Sequence, residues 1–170
     1  MSFTDLAKKR CSIRSYETKP VESDKIAAIV EAAHVAPSAA NRQPVRLIQV
    51  ESAEGLANLG RYANLYGAPL ALIVCADAER AWKRPVDGMV STAIDASITC
   101  DHMMIAATDL GLGSVWICAF DPVGVREAFN LPASLVPVNI LAVGHAADEW
   151  KSPERHAVER IPVQELVTKA

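Results

Sequence analysis

Apolar positions change period several times along this chain, and each change marks an element. Across residues 23–34, Ile26, Ile29, Val30 and Ala33 recur at the spacing of one helix face, with Ser23 as its N-cap and Pro37 barring continuation. Residues 45–51 alternate as a strand does, and Ser52 is placed to cap a short helix through Tyr62 that carries Leu56 and Leu59 inward. Gly67 and Pro69 end that segment, and residues 70–76 form an unbroken apolar run, the pattern of a strand covered on both faces. Residues 78–88 are charged, contain Pro85 and Gly88, and carry Trp82 as their large apolar group, which predicts a surface connection. From Val86 or Met89 to Leu110 the chain reads as its longest helix, apolar on most sides and therefore buried. A chain this small buries so much helix most easily under a second copy, which predicts a homodimer. Gly111 and Gly113 then serve as helix stop and tight turn before a strand over 114–118. Asp121 and Pro122 open a further helix ending near Asn130, and residues 138–144 supply a last core strand. Beyond Asp148 the chain is charged, with a short amphipathic segment at 162–167 suited to reaching a partner.

Two stretches do not fit a purely structural pattern. In Arg10-Cys11-Ser12-Ile13-Arg14-Ser15-Tyr16 polar and apolar residues alternate, which suits an extended segment with Arg10, Ser12 and Arg14 on one face and Cys11 and Ile13 turned inward. Two guanidinium forks flanking a hydroxyl match a phosphate or another anion. The alternative is a solvated edge whose arginines pair with nearby carboxylates. In residues 36–44, Pro37 and Pro44 bracket a polar turn that holds Ser38 and Asn41, either as a capping turn or as a functional loop. Asp95 and His102, seven apart on the long helix, read as a buried pair that fixes packing rather than an acid/base couple.

Composition narrows the classes. A chain of 170 residues, 51% hydrophobic and 22% charged, forms one domain with a real core. A net charge of −3 leaves no broad basic face for nucleic acid. The first ten residues lack the apolar core of a signal peptide and no later span suits a bilayer, so the expectation is a cytoplasmic protein with no membrane partner. Cys11, Cys75, Cys100 and Cys118 are scattered and the four histidines do not cluster, which predicts reduced thiols and no metal site. Hydrolase and P-loop motifs are absent, and Gly111-Leu112-Gly113 has the wrong order for a dinucleotide fingerprint, since here a helix precedes and a strand follows.

The segments Arg10 to Tyr16, Ala36 to Pro44 and Gly111 to Ile117 together resemble the nitroreductase family, whose members carry R-x-S-[IV]-R-x-[YF], A-P-S-x-x-N-x-Q-P and G-L-G-x-x-W-I in this order. The resemblance spans residues 6–166. It implies an α+β fold, a mixed β-sheet flanked by helices, in an intertwined homodimer with FMN at the interface and a single FMN-binding domain over 1–170. Carried over residue by residue, Arg10 and Ser12, with Cys11 between them, would hold the FMN phosphate, and Arg14 would approach the pyrimidine edge of the flavin. Pro37, Ser38 and Asn41 would come from the other subunit, while Arg61 and Asn64 reach the same edge. Trp116, Ile117, Cys118 and Ala119 would lie along the ring, with a backbone N–H near Ala119 facing the reactive nitrogen, and Arg155, ahead of Lys151, would complete the phosphate clamp. Two departures bear on the pocket: Val45 where relatives often have an aromatic, and Cys118 where they often have glycine. The implied activity is ping-pong reduction of nitroaromatics, quinones or similar electron-poor compounds by NADH or NADPH. The alternatives are a non-catalytic flavin-binding or redox-sensing protein, or a family variant acting on enones, free flavin or halogenated aromatics.

Overall fold

The computed structural model describes residues 2–169. The chain opens with a helix that its polar composition hides, α1 (Phe3–Lys9), started by a reciprocal capping box in which Ser2 Oγ accepts from Asp5 N and Asp5 accepts from Ser2 N. The arginine segment then runs extended along the sheet margin. Ile13 N donates to Ser114 O at 2.9 Å, Ser12 bridges Ser114 in parallel, and Tyr16 bridges Ala146 antiparallel. Cys11 and Ile13 are buried, whereas Arg14 is exposed, as the alternation requires.

Helix α2 (Ser23–His34) is capped by Glu22 and not by Ser23, and no side chain caps it. Its apolar face is narrower than the spacing predicts, with Ile26 and Ile29 buried but Val30 exposed. Strands β1 (Val45–Val50), β2 (Leu70–Asp77), β3 (Gly113–Ile117) and β4 (Leu135–Gly144) form one sheet in the order β1-β2-β4-β3. Among the described residues all three strand pairs are antiparallel, and the expected mixed character rests on the parallel Ser12–Ser114 bridge. Strand β4 begins three residues before the predicted start because Pro137 lies at a register shift opposite Cys75, on the stretch that β3 leaves unpaired.

Two cores flank the sheet. On one face Leu72, Val74, Leu141 and Val143 pack against α2 and the long helix α4 (Thr92–Asp109). On the other, Ile73, Cys75, Ile140 and Val115 meet Leu59 of α3 (Ala53–Leu59) and Val125 of α5 (Pro122–Ala128). Strand β2 is thus buried on both sides, the burial its apolar run demands. The expected helix caps of Ser52 and Asp121 are present, through Gly55 N and through Val123 N and Gly124 N.

Helix α4 departs from expectation at its start. Residues 82–91 form a tight hairpin instead of a first turn: Ser91 N donates to Trp82 O, Arg84 N to Met89 O, and Gly88 turns with φ 73°. Pro85 and a left-handed Gly88 make this turn cheaper than helix. Within one chain the helix keeps one face partly open, since Ile94 is 48% exposed and Ile98 and Ile105 are half-buried. The tail carries two short helices, α6 (His156–Glu159) and α7 (Val163–Leu166), with Val158, Ile161, Val163 and Leu166 exposed. Among the described residues no helix is long and apolar enough to cross a membrane.

Candidate functional site

Arg10, Ser12 and Arg14 open onto a cleft of about 250 Å³ that the tail closes with Lys151, Arg155, His156, Glu159 and Arg160. Loss of hydration holds the Arg10 guanidinium below its ordinary basicity, and the charge of Arg155 pushes in the same direction, followed by opposition from Cys11 and smaller effects of Arg160 and Asp101. Among the described residues none of these three arginines has a carboxylate within ion-pair distance. Four arginines and Lys151 against the one carboxylate of Glu159 leave the cleft positive, a character that suits an anion.

Arg155 is already engaged. Its Nη1 donates to Lys8 O (3.1 Å) and Ser152 O (2.9 Å), and its Nη2 donates to Arg10 O at 2.5 Å, which staples the tail to the C-terminal end of α1. His156 helps, with Nε2 on Lys8 O (3.2 Å) and Nδ1 accepting from Arg160 Nε (3.4 Å). The sequence reading left His156, Glu159 and Arg160 out of the site. The signal was present in the cation spacing of the tail, but only the fold back onto α1 brings it to Arg10.

Arg14 turns toward a second cleft and stands over the Tyr66 ring, 5.8 Å from its centroid. This larger hollow, about 740 Å³, is lined by Arg61, Tyr62, Asn64, Tyr66 and Ala119. The Arg61 guanidinium lies 5.7 Å from the Tyr62 ring, and Asn64 Oδ1 accepts from Tyr66 N. An Ala63–Phe120 bridge and a bond from Asp121 N to Tyr62 O tie this segment to the end of β3. Arg61, Asn64 and Ala119 therefore line one hollow.

Trp116 and Ile117 do not offer their side chains to such a site. Ile117 is buried in the core shared with α3 and α5, and Trp116 packs against the core under α4 with its Nε1 buried and unpartnered. Strand alternation sends both side chains into cores, so only their backbone is available at the strand's end. Cys118 and Ala119 are exposed just beyond it. Burial raises the Cys75 thiol to about 12 and raises Cys100 further, which leaves Cys118 as the exposed thiol.

The loop with Pro37, Ser38 and Asn41 shares neither cleft within this chain. Three of its non-glycine residues are left-handed, Ala40 (φ 50°), Asn41 (φ 52°) and Gln43 (φ 50°), a conformation that costs of order 1–3 kcal/mol per residue and needs support. Ser38 Oγ accepts from Gln43 N at 2.9 Å, and buried Asp95 accepts from Ala39 N (2.8 Å) and Ser91 Oγ (2.7 Å). Asp95 is therefore structural, but it does not pair with His102, whose Nδ1 lies 2.9 Å from Ile98 O.

An α+β protein with a basic cleft beside an aromatic, cation-rimmed hollow defines a binder of a phosphate-bearing planar molecule. The Nitroreductase family model matches residues 7–64 and 53–145. The chain is 34% identical over 173 residues to the FMN reductase [NAD(P)H] of Bacillus subtilis, covering 91% of this chain and 70% of that one. A crystal structure of a nitroreductase family protein from Clostridium difficile 630 superposes with TM-score 0.96 at 48% identity, covering 99% of this chain and 98% of the other. A second Clostridium difficile protein, an FMN-dependent nitroreductase, is 28% identical with TM-score 0.77, covering 92% and 96%. This chain belongs to the nitroreductase family.

Proposed function

We propose that this protein is an FMN-dependent oxidoreductase that draws on NADH or NADPH to reduce nitroaromatics, quinones or similar electron-poor acceptors in a ping-pong cycle. The observation that carries it is the cleft that gathers Arg10, Ser12, Arg14, Lys151 and Arg160 against the single carboxylate of Glu159, with none of these cations in an ion pair among the described residues, a donor set that fits a phosphate monoester. The likeness to proteins named FMN reductase and FMN-dependent nitroreductase supports the same group.

Bound FMN supplies hydride chemistry that no side chain offers. The chain's own residues bind and orient it. Arg10 and Ser12 hold the phosphate, Lys151 reaches it from the rim, and Arg155, its fork already on backbone carbonyls, fixes the tail and adds positive field. Arg14, Arg61 and Asn64 set cationic and polar groups at the ring edge, where they favour negative charge. The backbone N–H at Ala119, which lines the hollow, would donate toward the bound flavin, with the exposed Cys118 beside it.

Each site is completed by a second copy in a homodimer, which brings Pro37, Ser38 and Asn41 over the ring. The half-covered Ile94, Ile98 and Ile105 of α4 and the exposed apolar residues of the tail support this reading, because association removes them from water. Residues 1–170 then act as one FMN-binding domain of a cytoplasmic enzyme.

The test is the visible absorption spectrum of the purified protein, with identification of the molecule that heat releases. One FMN per subunit is expected, with Arg10→Ala weakening its retention at least tenfold while the apoprotein stays folded. A colourless protein that refuses added FMN overturns the reading. Bound FMN without oxidation of NADH or NADPH in the presence of a nitroaromatic indicates a flavin-binding sensor instead.

A further inference from the structure

A third cleft, about 710 Å³, lies between the strained loop and the hairpin that precedes α4, lined by Asn41, Arg42, Glu79, Arg80, Trp82 and Lys83 among others. We propose that it is the donor's anchoring subsite, taking the adenosine 2′-phosphate end of NADPH. This rests on the oxidoreductase reading above and adds the choice of donor to it.

Charge is the first argument. Arg42, Arg80 and Lys83 have no carboxylate within ion-pair distance among the described residues, although Arg84 in the same hairpin is fully paired with Asp87. Three unpaired cations against the one carboxylate of Glu79 leave the cleft positive in a protein of net charge −3. Isolated like charges held together on a surface repel, and a phosphate dianion relieves that repulsion.

Shape is the second. Trp82 is half-buried rather than tucked into either core, and so presents a planar apolar surface beside the cations. Indole faces stack on purines and on guanidinium planes. A planar base carrying phosphates satisfies both halves of the cleft, whereas a lone inorganic anion leaves the indole unused.

Preorganisation is the third. Asp77 Oδ1 accepts from Glu79 N at 3.0 Å and from Arg80 N at 3.4 Å, and Arg80 Nε donates to Arg42 O at 3.5 Å, which ties the two walls together. Buried Ala81 and the bond from Ser91 N to Trp82 O hold the floor. A site held in place before binding loses less entropy on binding.

Position connects the cleft to chemistry. Asn41 belongs both to this cleft and to the loop that, in the proposed dimer, covers the partner's ring system. A dinucleotide anchored by its adenosine end here extends toward that ring. NADH lacks the 2′-phosphate and leaves part of the cation set unneutralised, so the subsite selects NADPH.

The test is calorimetric titration of the purified holoprotein with 2′,5′-ADP and, as control, 5′-AMP. Binding of 2′,5′-ADP at least tenfold tighter than 5′-AMP is expected, weakening at least fivefold in Arg80→Ala and in Lys83→Gln and falling with added salt. In the same variants the ratio of kcat/KM for NADPH to that for NADH drops at least fivefold. Equal binding of the two nucleotides, or an affinity for 2′,5′-ADP that neither variant moves, overturns the proposal. The visible spectrum separates the two readings: a flavin-bearing protein with no preference for 2′,5′-ADP sinks the donor subsite alone, whereas a protein that takes no FMN sinks the oxidoreductase reading.

Discussion

Arg155 shows how a residue expected to bind directly works through position. Its guanidinium is occupied by carbonyls of α1, Arg10 and its own turn, so its planar fork holds the tail as much as it supplies charge. A lysine keeps the charge but cannot span several carbonyls at once. Arg155→Lys is therefore expected to weaken FMN retention nearly as much as Arg155→Ala does, and to speed hydrogen exchange at the α1 amides. Full retention of FMN in the lysine variant contradicts the staple. At Gly124 the constraint is steric. A Cβ there would overlap the Tyr62 ring, so Gly124→Ala must displace the wall of the larger cleft. Overpacking of this kind costs roughly 1–3 kcal/mol, readable as a lower urea midpoint at unchanged slope. Neither feature is legible in sequence, since both depend on residues remote in the chain. The alternation of Arg10, Ser12 and Arg14 was legible, because a period of two needs only a neighbouring strand to express it.

Among elements, the loop at 36–44 depends on a residue of α4, since Asp95 lies 56 positions beyond Ala39. Asp95 bonds Ala39 N and Ser91 Oγ, so it fixes both the strained loop and the hairpin before α4, the two walls of the proposed donor cleft. Asp95→Ala leaves the part-buried Ala39 N–H and the buried Ser91 hydroxyl without their acceptor, which costs about 1–3 kcal/mol. Thermal unfolding should register that loss, and Asp95→Asn, which keeps an acceptor oxygen, should recover part of it. An equal Tm for wild type and Asp95→Ala rules this out. The sequence places Asp95 correctly as a buried structural group. Its pairing with His102 is wrong because a helix repeat predicts only a shared face, and nearby backbone groups outcompete a side chain seven residues away. The early start assigned to α4 fails for a related reason, since apolar Val86 and Met89 match the helix period while Pro85 and Gly88 close a hairpin.

At the scale of the molecule, one carboxylate joins α2 to the end of the sheet. Glu22 lies 3.0 Å from Lys19 Nζ, 3.2 Å from Lys25 Nζ and 3.1 Å from His145 Nε2. The bond from Lys19, reinforced by backbone, Lys25 and His145, holds its pKa far below the ordinary 4.5. A depressed folded-state pKa contributes stability that is complete above the ordinary value and is lost as pH falls below it. The Tm of Glu22→Gln should thus lie below wild type at neutral pH, and the two should converge as the solution is acidified below 4.5. A gap that stays constant to strongly acid pH contradicts this. Association belongs to the same scale. Removing residues 157–170 takes away Val158, Ile161, Val163 and Leu166 while sparing Arg155, and sedimentation should show a weaker dimer. An unchanged dimer constant places the interface on α4 alone.

The sequence by itself determined most of the elements, though not α1 or the start of α4, together with the two-sided burial of β2, the alternation at Arg10 to Arg14 and, through three ordered motifs, the family. These are local or periodic properties, set by side-chain spacing and by proline and glycine. Only the tertiary structure decided which groups meet. It folded His156 and Arg160 back to Arg10, withdrew Trp116 and Ile117 into the cores, and set Arg42 against Arg80 beside Trp82. Such contacts join residues far apart in the chain, and no period in the sequence encodes the distance between them.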